Sequence, residues 1–233
     1  MALLSASLDF ARDWGKCALN LAFPWPETTA SEPVPINAPF CRQCGEPFPS
    51  LETYPESFIC NHCTEHDWHF EWARSGYRTD GQVLDAIIGF KYRDEYYQYG
   101  QLVEWLTETF DRHAKDTKWD ALVPVPLYHR RRRERGFNQA REIAQGLGSR
   151  RNIPVSDCLY RYRETASQAG LARTARWANM TGAFRMKARF DVRGRNLLII
   201  DDVFTTGATA NACAQVLAQA GASRLAVLTI ARS

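Results

Sequence analysis

Two adjacent carboxylates, Asp201 and Asp202, close an apolar run and are followed by VFTTGAT. The run NLLII (196–200) reads as a buried strand, the Thr/Gly segment as a loop, and residues 208–220 as a helix stopped by Gly221. In an open parallel sheet, ligands sit beyond the carboxyl ends of strands. A helix N-terminus presents free amides and partial positive charge, which suits a phosphate. Thr205, Thr206, Gly207, Ala208 and Thr209 therefore form a candidate phosphate loop, with hydroxyl donors and a glycine that permits close backbone approach. The two acids would repel phosphate. They suit another part of the ligand, accepting hydrogen bonds from a diol and helping to hold Mg²⁺. The segment is neither GK[ST] nor GxGxxG, so the two commonest nucleotide fingerprints are absent. The simpler alternative is an ordinary strand-to-helix turn with a Thr cap.

A second candidate anion region is VPVPLYHRRRRERGFNQA (123–140), where Arg130, Arg131, Arg132, Arg133 and Arg135 follow a short apolar strand. Guanidinium forks match phosphate oxygens in pairs. The run suits a diphosphate, a nucleic-acid backbone or a solvated basic helix, and the residues alone leave these open. Cys41, Cys44, Cys60 and Cys63 form two CxxC knuckles at a separation that lets four thiolates close on one tetrahedral Zn²⁺. A site with four protein ligands has no open position, so its role is structural. Gly45 permits the turn by which amides reach sulfur. His62, His66 and His69 lie nearby and read as solvated side chains.

These residues need a frame. Residues 1–22 have the periodicity of an amphipathic helix, and a proline-rich strap follows to about residue 38. The cysteine module occupies 39–66, and a third unit runs from 67 to 233. Within it, 68–77 reads as a strand, and Val83–Ile88 and Leu102–Phe110 recur at helical spacing. ALVPVPL (121–127) reads as a buried strand. The segment beginning at Phe137 reads as a helix stopped by Gly148, and 155–160 as a weak strand. Residues 161–182 are mixed loop and helix, and 224–231 form a last strand. Strands and helices alternate, which predicts an α/β class with a mainly parallel sheet and flanking helices.

The chain has 233 residues, 45% of them apolar, enough for a sizeable core. It lacks an apolar run of 18 residues, and charges at Asp9, Arg12, Asp13 and Lys16 interrupt any leader-like segment. A cytoplasmic protein without a membrane span is expected. The net charge of +3 divides unevenly, with acids concentrated in 1–120 and arginines in 121–233. A cationic second half suits polyphosphate or nucleic acid.

The stretch IIDDVFTTGAT resembles the phosphoribosyl-diphosphate (PRPP) signature of type I phosphoribosyltransferases. Together with the paired knuckles, VPVPL…RGFNQ and TASQAGLARTARWANMTGAF (165–184), it makes the chain similar to the ComF family. That resemblance implies a type I phosphoribosyltransferase-like fold with a small N-terminal zinc ribbon. It assigns Asp201 and Asp202 to the ribose hydroxyls as catalytic residues, and residues 205–209 to the 5′-phosphate. Leu127, Tyr128, His129 and Arg130 fall to the pyrophosphate. Arg163, Thr165, Gln168, Arg176 and Asn179 fall in a flexible loop that closes over the site. It also implies a link to DNA uptake, with single-stranded DNA and competence or DNA-processing proteins as partners. Two functions follow. One is Mg²⁺-dependent transfer of phosphoribosyl from PRPP to an unknown nitrogen acceptor. The other is non-catalytic binding of PRPP, a nucleotide or single-stranded DNA, with Trp177, Tyr160, Tyr162 and Phe137 as candidate stacking rings. A third possibility makes the ribbon a docking module.

Overall fold

The computed structural model describes residues 32–48, 57–93, 95–164, 177 and 179–233. The expected helix over 1–22 and most of the proline-rich strap lie outside them, as do Thr165, Gln168 and Arg176.

The elements are α1 (Asn61–Thr64), β1 (Ala73–Arg78), α2 (Gly81–Tyr92), a 3-10 turn (Tyr96–Gln98), α3 (Tyr99–His113), β2 (Ala121–Pro124), α4 (His129–Arg135), α5 (Gln139–Arg151), β3 (Leu159–Arg161), β4 (Phe184–Met186), β5 (Asn196–Phe204), α6 (Ala208–Gln219) and β6 (Arg224–Arg232). A four-stranded sheet in the order β1-β6-β5-β2 is parallel throughout. β3 and β4 form a separate antiparallel pair, with Tyr160 opposite Arg185. The expected α/β class, a mainly parallel sheet with flanking helices and a small cysteine module, is the observed one.

Alternation along the strands sorts side chains to the two faces. Leu198, Ile200, Ala226, Leu228 and Ile230 join a core with α2, α3 and α5. Leu197, Ile199, Leu225 and Val227 join a second core with α6. Parallel strands bury both faces, which is why NLLII and RLAVLTIA read as continuous apolar runs. Cys41, Cys44 and Cys63 belong to the second core, so the cysteine module rests directly on the sheet.

Several boundaries differ from the sequence expectation. β1 begins at Ala73, because residues 68–72 form the approach that carries Trp68 and Phe70 onto α6 and β5. β5 continues through both acids to Phe204. Gly148 does not stop α5. The helix runs on to Arg151 and ends at Asn152, whose left-handed backbone (φ 53°) closes it. Gly148 instead allows close packing, since a Cβ there would lie 2.6 Å from the Ile153 carbonyl oxygen.

Candidate active site

The carboxyl ends of β5 and β2 open into a cleft of about 250 Å³. Its floor is Asp201 and Asp202, and residues 203–210 form one wall. β5 delivers the acids with their backbone already ordered. Asp201 Oδ1 accepts from the Asp202 amide at 2.9 Å, and Asp202 Oδ1 accepts from the Val203 amide at 2.8 Å. Asp202 is not a surface carboxylate, being only 7% exposed, and Asp201 is partly buried. Burial pushes the Asp201 carboxyl well above the usual carboxylate range, and the neighbouring Asp202 adds to the shift. Lys91, from the last turn of α2, opposes it and forms an ion pair with Asp202 Oδ2. The sequence reading missed Lys91, because it lies one turn beyond the apolar positions that marked the helix.

The loop after β5 turns at Gly207, whose backbone is left-handed (φ 79°) and caps α6. A side chain here would be strained, and a Cβ would come within 2.6 Å of the Phe204 and Trp68 rings. The glycine thus makes room for aromatic backing as well as for the turn. Thr205, Thr206, Gly207, Ala208 and Thr209 all line the cleft. Thr206 Oγ1 accepts from the Ala208 amide at 3.4 Å.

Opposite the acids stands the loop after β2. Leu127 lines the cleft, as do Arg131, Arg135 and Gln139. Tyr128, His129 and Arg130 adjoin it without being among its lining residues. Arg130 faces outward, where Glu134 and Glu164 pair with it. The RGFNQ motif explains this geometry residue by residue. Arg135 lies over the Tyr92 ring, and Gly136 ends α4 in a left-handed conformation. Phe137 is 4% exposed and packs on Phe90, so it is a core residue and not a stacking ring. Asn138 caps α5 by accepting from the Ala140 amide, and its Nδ2 donates to the Val125 carbonyl. Gln139 then faces the cleft.

Arg161 is a further cation that the sequence reading did not single out. A parallel bridge joins it to Tyr128, and it lines the cleft near Asp201. Burial lowers its pKa, as does the nearby Arg131. Of the flexible-loop candidates, Arg163 donates to the carbonyls of Asn179 and Thr181 at 3.1 and 2.7 Å. Neither Arg163 nor Asn179 lines the cleft.

The four cysteine sulfurs lie within 4.8 Å of one another, and Cys44 and Cys60 are 3.8 Å apart. Tetrahedral zinc–thiolate bonds set sulfurs about 3.8 Å apart, so the group fits a Zn²⁺ ion. Hydrogen bonding with Cys44 holds the Cys41 thiol well below its usual range, whereas Cys44 is pushed up to about 12. Four cysteine sulfurs gathered at this spacing could hold a metal ion. Gly45 makes the expected turn (φ 73°), but its amide donates to the Cys41 carbonyl at 2.9 Å. The Cys60 amide does reach sulfur, at 3.3 Å from Cys41 Sγ.

The module also touches the loop after β5. His62 is not simply solvated, because its Nε2 donates to the Thr206 carbonyl at 3.0 Å. Arg232 at the end of β6 donates to the Cys44 carbonyl at 2.8 Å and lies over Phe204.

No protein-family model matches the chain. It is 30% identical over 203 residues to competence protein F of Haemophilus influenzae, covering 84% of this chain and 85% of that one. It is 29% identical over 226 residues to the DNA utilization protein YhgH of Salmonella typhimurium, covering 94% and 91%. Competence protein ComFC of Bacillus subtilis is 30% identical over 166 residues, covering 69% of this chain and 64% of that one. Among solved structures, a purine phosphoribosyltransferase from Pyrococcus horikoshii overlaps 59% of this chain and 84% of that one, at 14% identity and a TM-score of 0.36. That overlap is too loose to carry an argument. The similarity to competence protein F extends over most of both sequences, and on that ground this chain belongs to the ComF family.

Proposed function

We propose that the cleft binds Mg²⁺–PRPP and that the chain is a phosphoribosyltransferase acting on a nitrogen acceptor. The observation that carries this reading is one cleft holding three unlike surfaces: paired acids, a Thr/Gly loop at a helix N-terminus, and a wall of Lys91, Arg131, Arg135 and Arg161. Each matches one part of PRPP. The acids suit the ribose diol, residues 205–209 the 5′-phosphate, and the arginines the diphosphate. In this reading Leu127, Arg131 and Arg135 line the pyrophosphate side, and Tyr128, His129 and the outward-facing Arg130 belong to the same loop beside it. Asp201 and Asp202 fit Mg²⁺, which takes one or two carboxylates and completes its shell with water and substrate phosphate. Bound there, the ion would neutralise charge on the leaving pyrophosphate. The protein's own contribution is then positioning and charge stabilisation at an oxocarbenium-like transition state. Arg163, Thr165, Gln168, Arg176 and Asn179 belong in this reading to the loop that excludes water.

Zn²⁺ on Cys41, Cys44, Cys60 and Cys63 completes the structural ribbon. In this reading the chain comprises an N-terminal helix and proline-rich strap (1–38), the zinc ribbon (39–66) and a phosphoribosyltransferase-like unit (67–233), and described residues of the last two share one core. No helix among the described residues is long and apolar enough to cross a membrane.

The test is a PRPP titration with Mg²⁺, with pyrophosphate release followed across nucleobases and without acceptor. Saturable binding that disappears in the Asp201→Asn, Asp202→Asn double variant supports the reading. Unchanged affinity in that variant overturns it.

A second reading adds single-stranded DNA as a partner. Arg132 and Arg133 are exposed outside the cleft, and Tyr160 and Tyr162 are 39% and 42% exposed. Arg185 stacks on Tyr162 at 4.1 Å. The names of the relatives, which concern competence and DNA utilization, agree with such a role and with partners in DNA processing.

A further inference from the structure

We infer that His62 is a positioning residue for the phosphate loop, holding the Thr206–Gly207 peptide so that its N–H faces the cleft. The inference rests on the reading of residues 205–209 as the 5′-phosphate site. It joins two parts of the chain that are 144 residues apart, one beside the metal-type cysteines and one in the ligand cleft.

The geometry begins with the peptide unit. A trans peptide is planar, so its C=O and N–H point in opposite directions. The Thr206 carbonyl accepts from His62 Nε2 at 3.0 Å and is therefore turned towards the cysteine module. The Gly207 N–H is consequently turned away from the module, on the side where Gly207 lines the cleft. Glycine makes this orientation easy to lose. With no Cβ, residue 207 tolerates backbone conformations of either sign of φ, so a peptide flip is cheap unless something holds it. His62 supplies that hold.

His62 is itself held. Its carbonyl accepts from His66 Nδ1 at 2.9 Å, and its ring meets the Trp68 ring edge-on at 5.8 Å. Trp68 lies against the face of Gly207 that lacks a side chain. The first turn of α6 is tied to the same segment. Asn211 Oδ1 accepts from the His69 amide at 2.8 Å, and Asn211 Nδ2 donates to the Asp67 carbonyl at 2.9 Å. Residues 62–69 thus form a rear wall for both the loop and the helix N-terminus it feeds. Within that wall, His62 alone among these contacts bonds to a peptide of the phosphate loop itself.

The experiment uses the full-length protein with Mg²⁺ and three probes: PRPP, ribose 5-phosphate and inorganic pyrophosphate. His62→Phe keeps a ring but removes the donor, whereas His62→Gln keeps an N–H donor. Zinc content and thermal unfolding are recorded for each. In isothermal titration, His62→Phe should weaken PRPP and ribose 5-phosphate by about three- to tenfold, the loss expected for one neutral hydrogen bond. Pyrophosphate binding should be unchanged, and His62→Gln should stay within roughly twofold of the parent. In the unsubstituted protein, nitrogen NMR should show His62 Nε2 protonated, with its signal shifting on addition of ribose 5-phosphate but not pyrophosphate. This arm does not depend on a variant folding.

The inference is overturned if His62→Phe binds ribose 5-phosphate as the parent does, or if pyrophosphate affinity falls equally. It is also overturned if His62→Gln fares no better than His62→Phe, or if the His62 signal ignores ribose 5-phosphate. A parent protein that binds neither PRPP nor ribose 5-phosphate removes the phosphate reading and this inference with it. A parent that binds both, with unaltered affinity in His62→Phe, removes the inference alone.

Discussion

Burial keeps the Asp201 carboxyl protonated over a pH range in which a free aspartate is ionised. An unfolded aspartate titrates near a pKa of about 3.9. Above that value, and up to the raised folded pKa, the folded chain binds more protons than the unfolded one. Its stability therefore falls as pH rises through that window. Asp201→Asn cannot ionise. It should raise the melting temperature at neutral pH while removing PRPP binding, and the gain should vanish as pH approaches about 4. Thermal scans at several pH values check this, and an equal gain at every pH would refute it. Lys91 gives a second residue-level expectation. Its ion pair with Asp202 is mostly buried, with side chains 16% and 10% exposed. Removing one partner of such a pair leaves an uncompensated charge, so Lys91→Met should cost on the order of 3 kcal/mol at neutral pH. Adding Asp202→Asn should recover most of that loss in urea titrations. Simple additivity of the two effects would show that the ion pair carries little of the stability.

At the scale of elements, the cysteine module and the sheet cannot be treated as separate bodies. Cys41, Cys44 and Cys63 share a core with Leu197, Ile199 and Val227. Purified protein should contain one zinc per chain, and elemental analysis measures it. Cys60→Ser should lose that metal, because metal binding and local folding are coupled. The sheet should still unfold cooperatively, since its opposite face is covered by α2, α3 and α5. Tryptophan fluorescence should nevertheless change. Trp68 and Trp177 lie 5.2 Å apart, and Trp177 stacks on His66 at 4.1 Å, within reach of the module. A metal-free preparation with unchanged fluorescence and melting temperature would refute the structural role.

The charge division takes on a specific form in the whole molecule. The basic run does not act as one patch. Arg131 and Arg135 turn into the cleft, while Arg132 and Arg133 face solvent. Neutralising both outward arginines should flatten the salt dependence of single-stranded DNA binding. In a log–log plot the slope should change by about 0.7 for each DNA phosphate that the variant no longer neutralises. PRPP affinity should hardly change. Arg131→Ala should instead weaken PRPP. Equal DNA binding by the Arg132→Ala, Arg133→Ala double variant across salt concentrations would remove the run from any nucleic-acid role.

Local chemistry was legible in the sequence wherever neighbouring residues do the work. The four cysteines announce their spacing, and IIDDVFTTGAT contains its strand, acids, loop and helix start in consecutive positions. The class followed from apolar runs alternating with helical periodicity, because a parallel sheet buried on both faces leaves that pattern. Lys91, Arg161 and His62 were not legible. Each acts on a partner far away in sequence, and nothing in GFKYRDE, LYRYR or CNHC specifies which loop will lie opposite. Gly148 and Phe137 show the same limit. A glycine at the end of a periodic stretch reads as a stop until the close approach of the Ile153 carbonyl gives it another reason. Only the packing of α2 against β5, of β3 beside the arginine loop, and of the cysteine module behind Gly207 decided which charges face the cleft. Side-chain types and short spacings determine what chemistry is available, while burial and long-range approach determine which groups are brought to bear.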